Sequence, residues 1–243
     1  MKKGIKNWYA NWFNTDFYHV LYQDRDHKEA ERFMNTLTGY LKLSKNATIL
    51  DLACGKGRHA IYLNTLGYDV TGIDLSENSI DFAKQFENET LHFDVHNMCN
   101  PYHKQFDAVL NLFTSFGYFD NEDDNLNTIK AIKADLNETG SGVIDFMNVT
   151  HIIDNLVPQD TKKVGGIVFY QKRYLKDGYI FKEIDFHYKN KDFHFVERVK
   201  ALTLKDFEAY FEEADIELRA VFGDYKLNEF HPKASERLIL IFK

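Results

Sequence analysis

Apolar positions change rhythm along this chain. Between residues 47 and 148, short apolar runs alternate with stretches of helical period. The runs are Ala47-Thr-Ile-Leu-Asp-Leu52, Tyr68-Asp-Val-Thr-Gly-Ile-Asp74, Leu91-His-Phe-Asp94, Phe106-Asp-Ala-Val-Leu-Asn111 and Gly142-Val-Ile-Asp-Phe-Met-Asn148. Such runs, bounded by turn residues and separated by helices, predict buried parallel strands with crossover connections. Residues 1–46 read as helical and aromatic-rich: Trp8, Tyr9, Trp12, Phe13, Phe17, Tyr18 and Tyr22 come first, several on one helical face, and an amphipathic helix follows over Glu29–Leu41. After residue 149 the period falls to two. Ile167–Tyr174, Tyr179–Tyr188 and Phe193–Lys200 predict three strands, joined at Lys176-Asp-Gly178 and Lys189-Asn-Lys191. An antiparallel patch has no place in a parallel sheet, so it is expected over the crevice as a lid. Thr203-x-x-Asp206 has the form of a capping box, ahead of Leu204, Phe207, Tyr210 and Phe211 on one helical face. Ile216–Val221 and Arg237–Phe242 read as the final strands.

The first predicted strand carries the most informative chemistry. It ends in a carboxylate, Asp51, and runs into Gly55-Lys-Gly57 and the start of a helix. A strand, a glycine turn and a helix N-terminus hold nucleotide-like cofactors in open α/β sheets. Read strictly, Gly55-x-Gly57-x-x-Ala60 with Asp74 also fits the dinucleotide fingerprint. Asp51 separates the two readings: a carboxylate beside the turn repels a pyrophosphate, whereas it suits S-adenosylmethionine (SAM), which brings an ammonium and a sulfonium. No Tyr-x-x-x-Lys pair occurs, which weakens a short-chain reductase further. Each acid has a plainer reading as well: Asp51 and Asp74 as helix caps, Asp94 as a turn residue. Their regular spacing at successive strand ends favours one shared crevice for Asp51, Asp74, Asp94 and Asn111.

As a set, these motifs resemble the class I SAM-dependent methyltransferases, most closely over residues 47–148. Asp51-x-Ala53-x-Gly55-x-Gly57 is similar to their first motif, with Ala53 where the family often has Gly. The resemblance implies an α/β fold: a doubly wound, Rossmann-like, mostly parallel sheet with an antiparallel C-terminal edge strand, plus a small antiparallel β lid. It places Asp51 near the ammonium and methionine end and Asp74 on the ribose hydroxyls, with Leu75 against the adenine. Asp94 would accept from the adenine amino group, the Val95 backbone would meet the ring edge, and Asn111 and Leu112 would flank the methionine portion. Related enzymes set N-terminal aromatics or an Arg against SAM, which makes Tyr18, Tyr22 and Arg25 candidates; an aromatic stripe at helical spacing is otherwise core. The C-terminal third resembles the small-molecule branch, near glycine and amino-sugar N-methyltransferases. The expectation is therefore one methyltransferase domain. It comprises a helical cap (1–46), a SAM-binding core (47–148), a lid insertion (149–200) and a return to the core (201–243).

Methyl transfer from a sulfonium is an in-line displacement, which positioning and a dry pocket accelerate. A general base is needed only when the acceptor must lose a proton. Substrate-side candidates are Tyr118, in the loop after the fourth strand, and Glu197 and Arg198, on opposite faces of a lid strand. Tyr225 and His231 follow in the loop between the last strands. The loop after the fourth strand lacks Asn/Asp-Pro-Pro-Tyr and no Pro-Cys pair occurs, which argues against planar amide or base acceptors and covalent cytosine chemistry. Lys56 and Arg58, beside the glycine turn, read as solvated.

Composition narrows the partners. A 243-residue chain with 44% hydrophobic residues suits one α/β domain with a decoration. No apolar run is long enough for a membrane span, and no signal-peptide core follows the basic start. Two cysteines, Cys54 and Cys99, fit a reducing cytoplasm, with Cys54 a packing residue. No Cys/His cluster has metal-ligand spacing, so no metal is expected. The net charge of −7 makes nucleic acid an unlikely partner and leaves a small-molecule substrate. Residues 160–200 nevertheless carry ten Lys/Arg against six Asp/Glu. That basic segment reads as a solvated sheet face, with a tRNA-modifying enzyme as the alternative. A SAM-binding regulator without turnover is another.

Overall fold

The structure is a computed structural model and describes residues 12–23, 27–113, 115–119 and 121–243. Trp8, Tyr9 and Arg25 lie outside the described residues. The elements, in chain order, begin with α1 (Asp16–Leu21), α2 (His27–Leu41), β1 (Thr48–Leu52), α3 (Arg58–Thr65), β2 (Asp69–Asp74), α4 (Glu77–Ala83) and β3 (Leu91–Val95). There follow β4 (Phe106–Asn111), α5 (Asp123–Asp135), β5 (Leu136–Met147), α6 (Val149–Asp154), β6 (Gln159–Val164), β7 (Ile167–Lys176), β8 (Tyr179–Tyr188) and β9 (Lys191–Lys200). The chain closes with α7 (Leu204–Glu213), β10 (Leu218–Phe222) and β11 (Arg237–Phe242).

Seven strands form one sheet in the order β10-β11-β5-β4-β1-β2-β3. β1 to β5 are mutually parallel, and β11 runs antiparallel to both β5 and β10. The order reverses at β1, which pairs with β2 on one side and β4 on the other; this is the switch point where α/β sheets open a crevice.

Strand alternation divides the core between the two faces of this sheet. Ile49, Ala108, Leu110, Val143 and Ile239 pack against Phe33, Met34 and Leu37 of α2, Ala60 and Leu63 of α3, and Ile80 and Ala83 of α4. Leu50, Val109, Ile144 and Leu238 pack against Ile129 and Ile132 of α5 and Phe207 and Phe211 of α7. The capping box at Thr203 is formed in full, with reciprocal bonds to Asp206.

The lid region holds four strands, β6-β7-β8-β9, where three were expected. β6 is Gln-Asp-Thr-Lys-Lys-Val, mostly exposed, and it joins the sheet through backbone pairing with β7. Both hairpin turns sit where the sequence placed them. Asp177 and Gly178, then Lys189 and Asn190, all take positive φ, the form that matches the twist of the flanking strands. The inner face of this sheet forms its own cluster with the N-terminal aromatics: Trp12 and Leu21 are buried with Val164, Ile167, Phe169, Ile184 and Phe186. So the aromatic stripe is in large part core.

Candidate active site

A cavity of about 450 Å³ opens at the C-terminal ends of the parallel strands. Its floor is the turn after β1, with the residues after β2, β3 and β4 around it. Its roof is Phe13, Tyr18, His19 and Tyr22 from the N-terminal segment and Glu197 from β9. Of the sequence candidates, Ala53, Gly55, Asp74, Leu75, Leu112, Tyr18, Tyr22, Tyr118 and Glu197 line it. Asp51, Gly57, Asp94, Val95, Asn111 and Arg198 do not line it.

The turn is built by three left-handed residues, Ala53 (φ 56°), Gly55 (φ 56°) and Gly57 (φ 82°). Ala53 bears the Cβ strain that glycine avoids there. A Cβ on Gly55 would meet nothing within 4 Å, so this backbone stays open to a ligand. A Cβ on Gly57 would lie 2.7 Å from the Phe93 ring, so Gly57 serves close packing between α3 and β3.

The acids divide by environment. Asp51 is fully buried, and among the described residues its Oδ2 accepts no hydrogen bond. Burial pushes its pKa up to about 7; the Ala60 N–H, in the first turn of α3, and the Arg58 guanidinium oppose the rise, while Asp74 adds to it. The cap position of α3 is Gly57 rather than Asp51. Asp74 accepts from the Gly55 N–H at 2.9 Å and the Ser76 N–H at 2.8 Å, bracing the turn from β2. Burial raises its pKa and these N–H groups work against the rise. It is not the cap of α4, which is Ser76. Asp94 accepts from the Tyr102 hydroxyl. Asn111 is buried, donates to the Leu52 carbonyl at 3.2 Å, and keeps Oδ1 without a donor among the described residues. Two unsatisfied buried acceptors on neighbouring strands call for a donor-bearing ligand or water.

On the roof, Glu197 accepts from Trp12 Nε1 at 2.7 Å and from the Tyr22 hydroxyl at 2.7 and 2.9 Å. Lys182 Nζ donates to the same hydroxyl at 2.6 Å and lies 3.9 Å from Glu197 Oε2. Burial, then the charge of Glu197, pushes the Tyr22 phenol well above its usual value, so it stays protonated. Tyr118 meets the Phe13 ring edge-on at 5.5 Å. Arg198 points to the other face, where its Nη2 donates to the Phe119 carbonyl at 3.2 Å and its guanidinium lies 4.8 Å from the Tyr179 ring centre.

Sequence reasoning missed the buried pair beneath this site. Asp145, wholly inaccessible in β5, is gripped by Arg237 of β11 at 2.8 Å (Nε) and 2.7 Å (Nη2). Its other oxygen accepts from the Phe113 N–H at 3.1 Å and the Tyr225 hydroxyl at 3.2 Å. This holds Phe113 in a left-handed conformation (φ 67°) after β4. Tyr225 is thereby a strut for that loop, while His231 is exposed. Lys56 and Arg58 are not simply solvated: their cations sit over the Phe82 and Phe113 rings, 4.9 and 4.3 Å from the centres. Burial raises the Cys54 thiol well above its usual value, as fits a packing residue. Among the described residues no His/Cys/Asp/Glu group is placed to hold a metal ion, and no helix is long and apolar enough to cross a membrane.

Comparison with known proteins adds to this geometry. Residues 49–140 match the methyltransferase-domain family. A glycine/sarcosine N-methyltransferase of Aphanothece halophytica is 31% identical over 138 residues, 54% of this chain and 50% of that protein. The namesake enzyme of Halorhodospira halochloris is 32% identical over 123 residues, 47% of this chain and 45% of that one. The chain spans half or less of the length of the curated relatives it matches. A SAM-dependent methyltransferase structure from Clostridium acetobutylicum superposes with a TM-score of 0.79 at 20% identity, covering 99% of both chains. Residues 49–140 thus match the methyltransferase-domain family, and the whole chain shares the fold of a solved SAM-dependent methyltransferase.

Proposed function

We propose that this chain is a SAM-dependent methyltransferase acting on a small-molecule acceptor. One observation carries the reading: the glycine turn opens between two carboxylates, the buried Asp51 and the half-buried Asp74, so it offers a cationic nucleoside a home and a pyrophosphate none. The residues present fit SAM. Gly55 leaves room above the turn, and Asp51 Oδ2 and Asn111 Oδ1 are buried acceptors in want of donors. Asp51 would answer the ammonium, with Ala53, Gly55 and Leu112 along the methionine portion. Asp74 would receive the ribose hydroxyls beside the two N–H groups it already accepts. Leu75 and Val95 would flank the adenine, with Asp94 toward its amino group. When bound, SAM supplies an electrophilic methyl on its sulfonium.

The chain's own residues then orient the acceptor and exclude water. Phe13, Tyr18, Tyr22 and Tyr118 form an aromatic wall that also attracts a sulfonium. Glu197 fixes Tyr22 of that wall, and Trp12 as well, through hydrogen bonds and faces the acceptor space. Arg198 acts as a positioning residue for the loop carrying Tyr118. Three cations of the basic lid are engaged within the fold, which supports a small acceptor over RNA. Lys162 donates to the Leu21 carbonyl, Lys182 to Tyr22, and Lys200 to Glu122. Free thiols at Cys54 and Cys99 suit a reducing cytoplasm.

Calorimetric titration of cofactor-stripped protein with SAM, S-adenosylhomocysteine, NADH and NADPH tests this reading. Binding of the two adenosyl ligands alone supports it; nicotinamide binding alone overturns it.

A further inference from the structure

The carboxylate in the roof gives the acceptor half of the cavity a sign. Glu197 is only 8% exposed, yet it lines the cavity from β9. Trp12 and the Tyr22 hydroxyl hold it in place, the phenol proton being shared between its two oxygens at 2.7 and 2.9 Å. A carboxylate offers about four acceptor positions, so Oε2 keeps capacity for a further donor. Lys182 lies 3.9 Å from that oxygen, donates to the Tyr22 hydroxyl, and is not part of the cavity lining. The aromatic wall continues from this anchor. Ring centres lie 4.9 Å apart for Tyr22 and Tyr18, 5.0 Å for Tyr18 and Phe13, and 5.5 Å for Phe13 and Tyr118. Four linked rings thus run from the carboxylate to the loop after β4. Ring faces attract cations, and Glu197 adds a full negative charge at one end of the row.

We propose that the acceptor is an aliphatic amine, with its nitrogen at Glu197 Oε2 and its alkyl groups against the four rings. This rests on the SAM reading and deepens it by naming the acceptor class and the residue that selects it. The amine reacts as its free base, having left its proton in water. Its lone pair forms the N–C bond while the methyl–sulfur bond breaks, and that bonding pair stays on sulfur as a thioether. The positive charge thereby passes from sulfur to nitrogen, and the methylated ammonium carries it away. A fixed anion beside the nitrogen stabilises this charge as it arrives. The same anion opposes a thiolate, a phenolate or a carboxylate acceptor, which would bring a like charge to close range.

The test uses two probes of nearly one shape, choline and 3,3-dimethyl-1-butanol, which differ in a charged nitrogen against a neutral carbon. Choline stands in for a methylated ammonium product. Calorimetry on protein saturated with S-adenosylhomocysteine reads both probes in wild type and in Glu197→Gln, which keeps an acceptor for Trp12 Nε1 and removes the charge. Choline is expected to bind wild type roughly tenfold or more tightly than the neutral alcohol, and Glu197→Gln should erase that preference. Affinity for S-adenosylhomocysteine should be the same in both proteins, which shows that the variant folds; if the variant loses it, the wild-type comparison decides alone. Wild type that binds the two probes equally, or neither, would overturn the proposal, as would a preference for choline that survives in Glu197→Gln. Wild-type protein that binds no S-adenosylhomocysteine would instead overturn the SAM reading itself.

Discussion

Trp12 Nε1 donates to Glu197 Oε1 at 2.7 Å, joining residues 185 positions apart in the chain. The bond makes the roof of the cavity a joint product of the N-terminal segment and the lid sheet. Tyr22 repeats the tie on the same carboxylate, so Glu197 holds two aromatic residues of the N-terminal segment in register with β9.

Glu197→Ala removes the acceptor of a buried indole N–H. Leaving such a donor unsatisfied costs about 1–3 kcal/mol. The urea midpoint should fall accordingly, and Trp12 fluorescence should shift toward that of a solvated indole. An unchanged spectrum would mean that Trp12 does not depend on Glu197.

Asp145→Asn leaves the half-buried Arg237 guanidinium without its charge partner. Breaking such a pair from one side costs about 3–5 kcal/mol, whereas replacing both partners by apolar residues costs less. Equilibrium unfolding of Asp145→Leu, Arg237→Met and their double variant should therefore be strongly non-additive. Additive losses would show that the pair is not coupled.

The places where the sequence was legible follow from its physics. Each parallel strand reads as an apolar run ending in a polar residue, because both faces of the sheet are covered and its ends meet solvent. Asp51, Asp74, Asp94 and Asn111 could thus be placed at one edge from spacing alone. β6 could not, since Gln159–Val164 has no apolar alternation and joins by backbone pairing alone. Asp145 sits inside the apolar run Gly142–Asn148, and its partners Arg237, Tyr225 and Phe113 come from three distant segments. Arg58 resembled a surface charge because the ring beneath it belongs to the loop after β4.

Gly57→Ala should destabilise the fold. Its φ of 82° is unfavourable for any Cβ, and the added atom would lie 2.7 Å from Phe93. Strain and overpacking of this kind cost about 1–3 kcal/mol. Gly55→Ala shares the backbone strain without the clash, so its urea midpoint should fall less.

Asp74→Ala is expected to weaken S-adenosylhomocysteine at least tenfold while the protein stays folded. The variant also frees the Gly55 and Ser76 N–H groups, so a modest fall in thermal midpoint should accompany the loss. Unchanged affinity in calorimetry would remove Asp74 from the ribose site.

The pH dependence of stability carries the sign of Asp51. Its folded pKa of about 7 lies above the ordinary carboxylate value of 3.8, so the folded protein holds a proton there that the unfolded chain releases. Its stabilising contribution is full below about pH 4 and is lost as pH rises through about 7. Urea midpoints of ligand-free protein should fall between pH 5 and pH 8 more steeply in wild type than in Asp51→Asn. Equal slopes would show that Asp51 ionises normally.

The grip of Arg237 on Asp145 also sets an order of events during synthesis. β11 leaves the ribosome after every other element described, yet it carries the cation that completes the anchor of Phe113. A nascent chain can own the glycine turn, both acids and the whole lid while the loop after β4 still lacks its fastening. Ligand capture should therefore lag behind collapse of the parallel strands, and the seat beneath Arg58 should be among the last parts of the molecule to become competent.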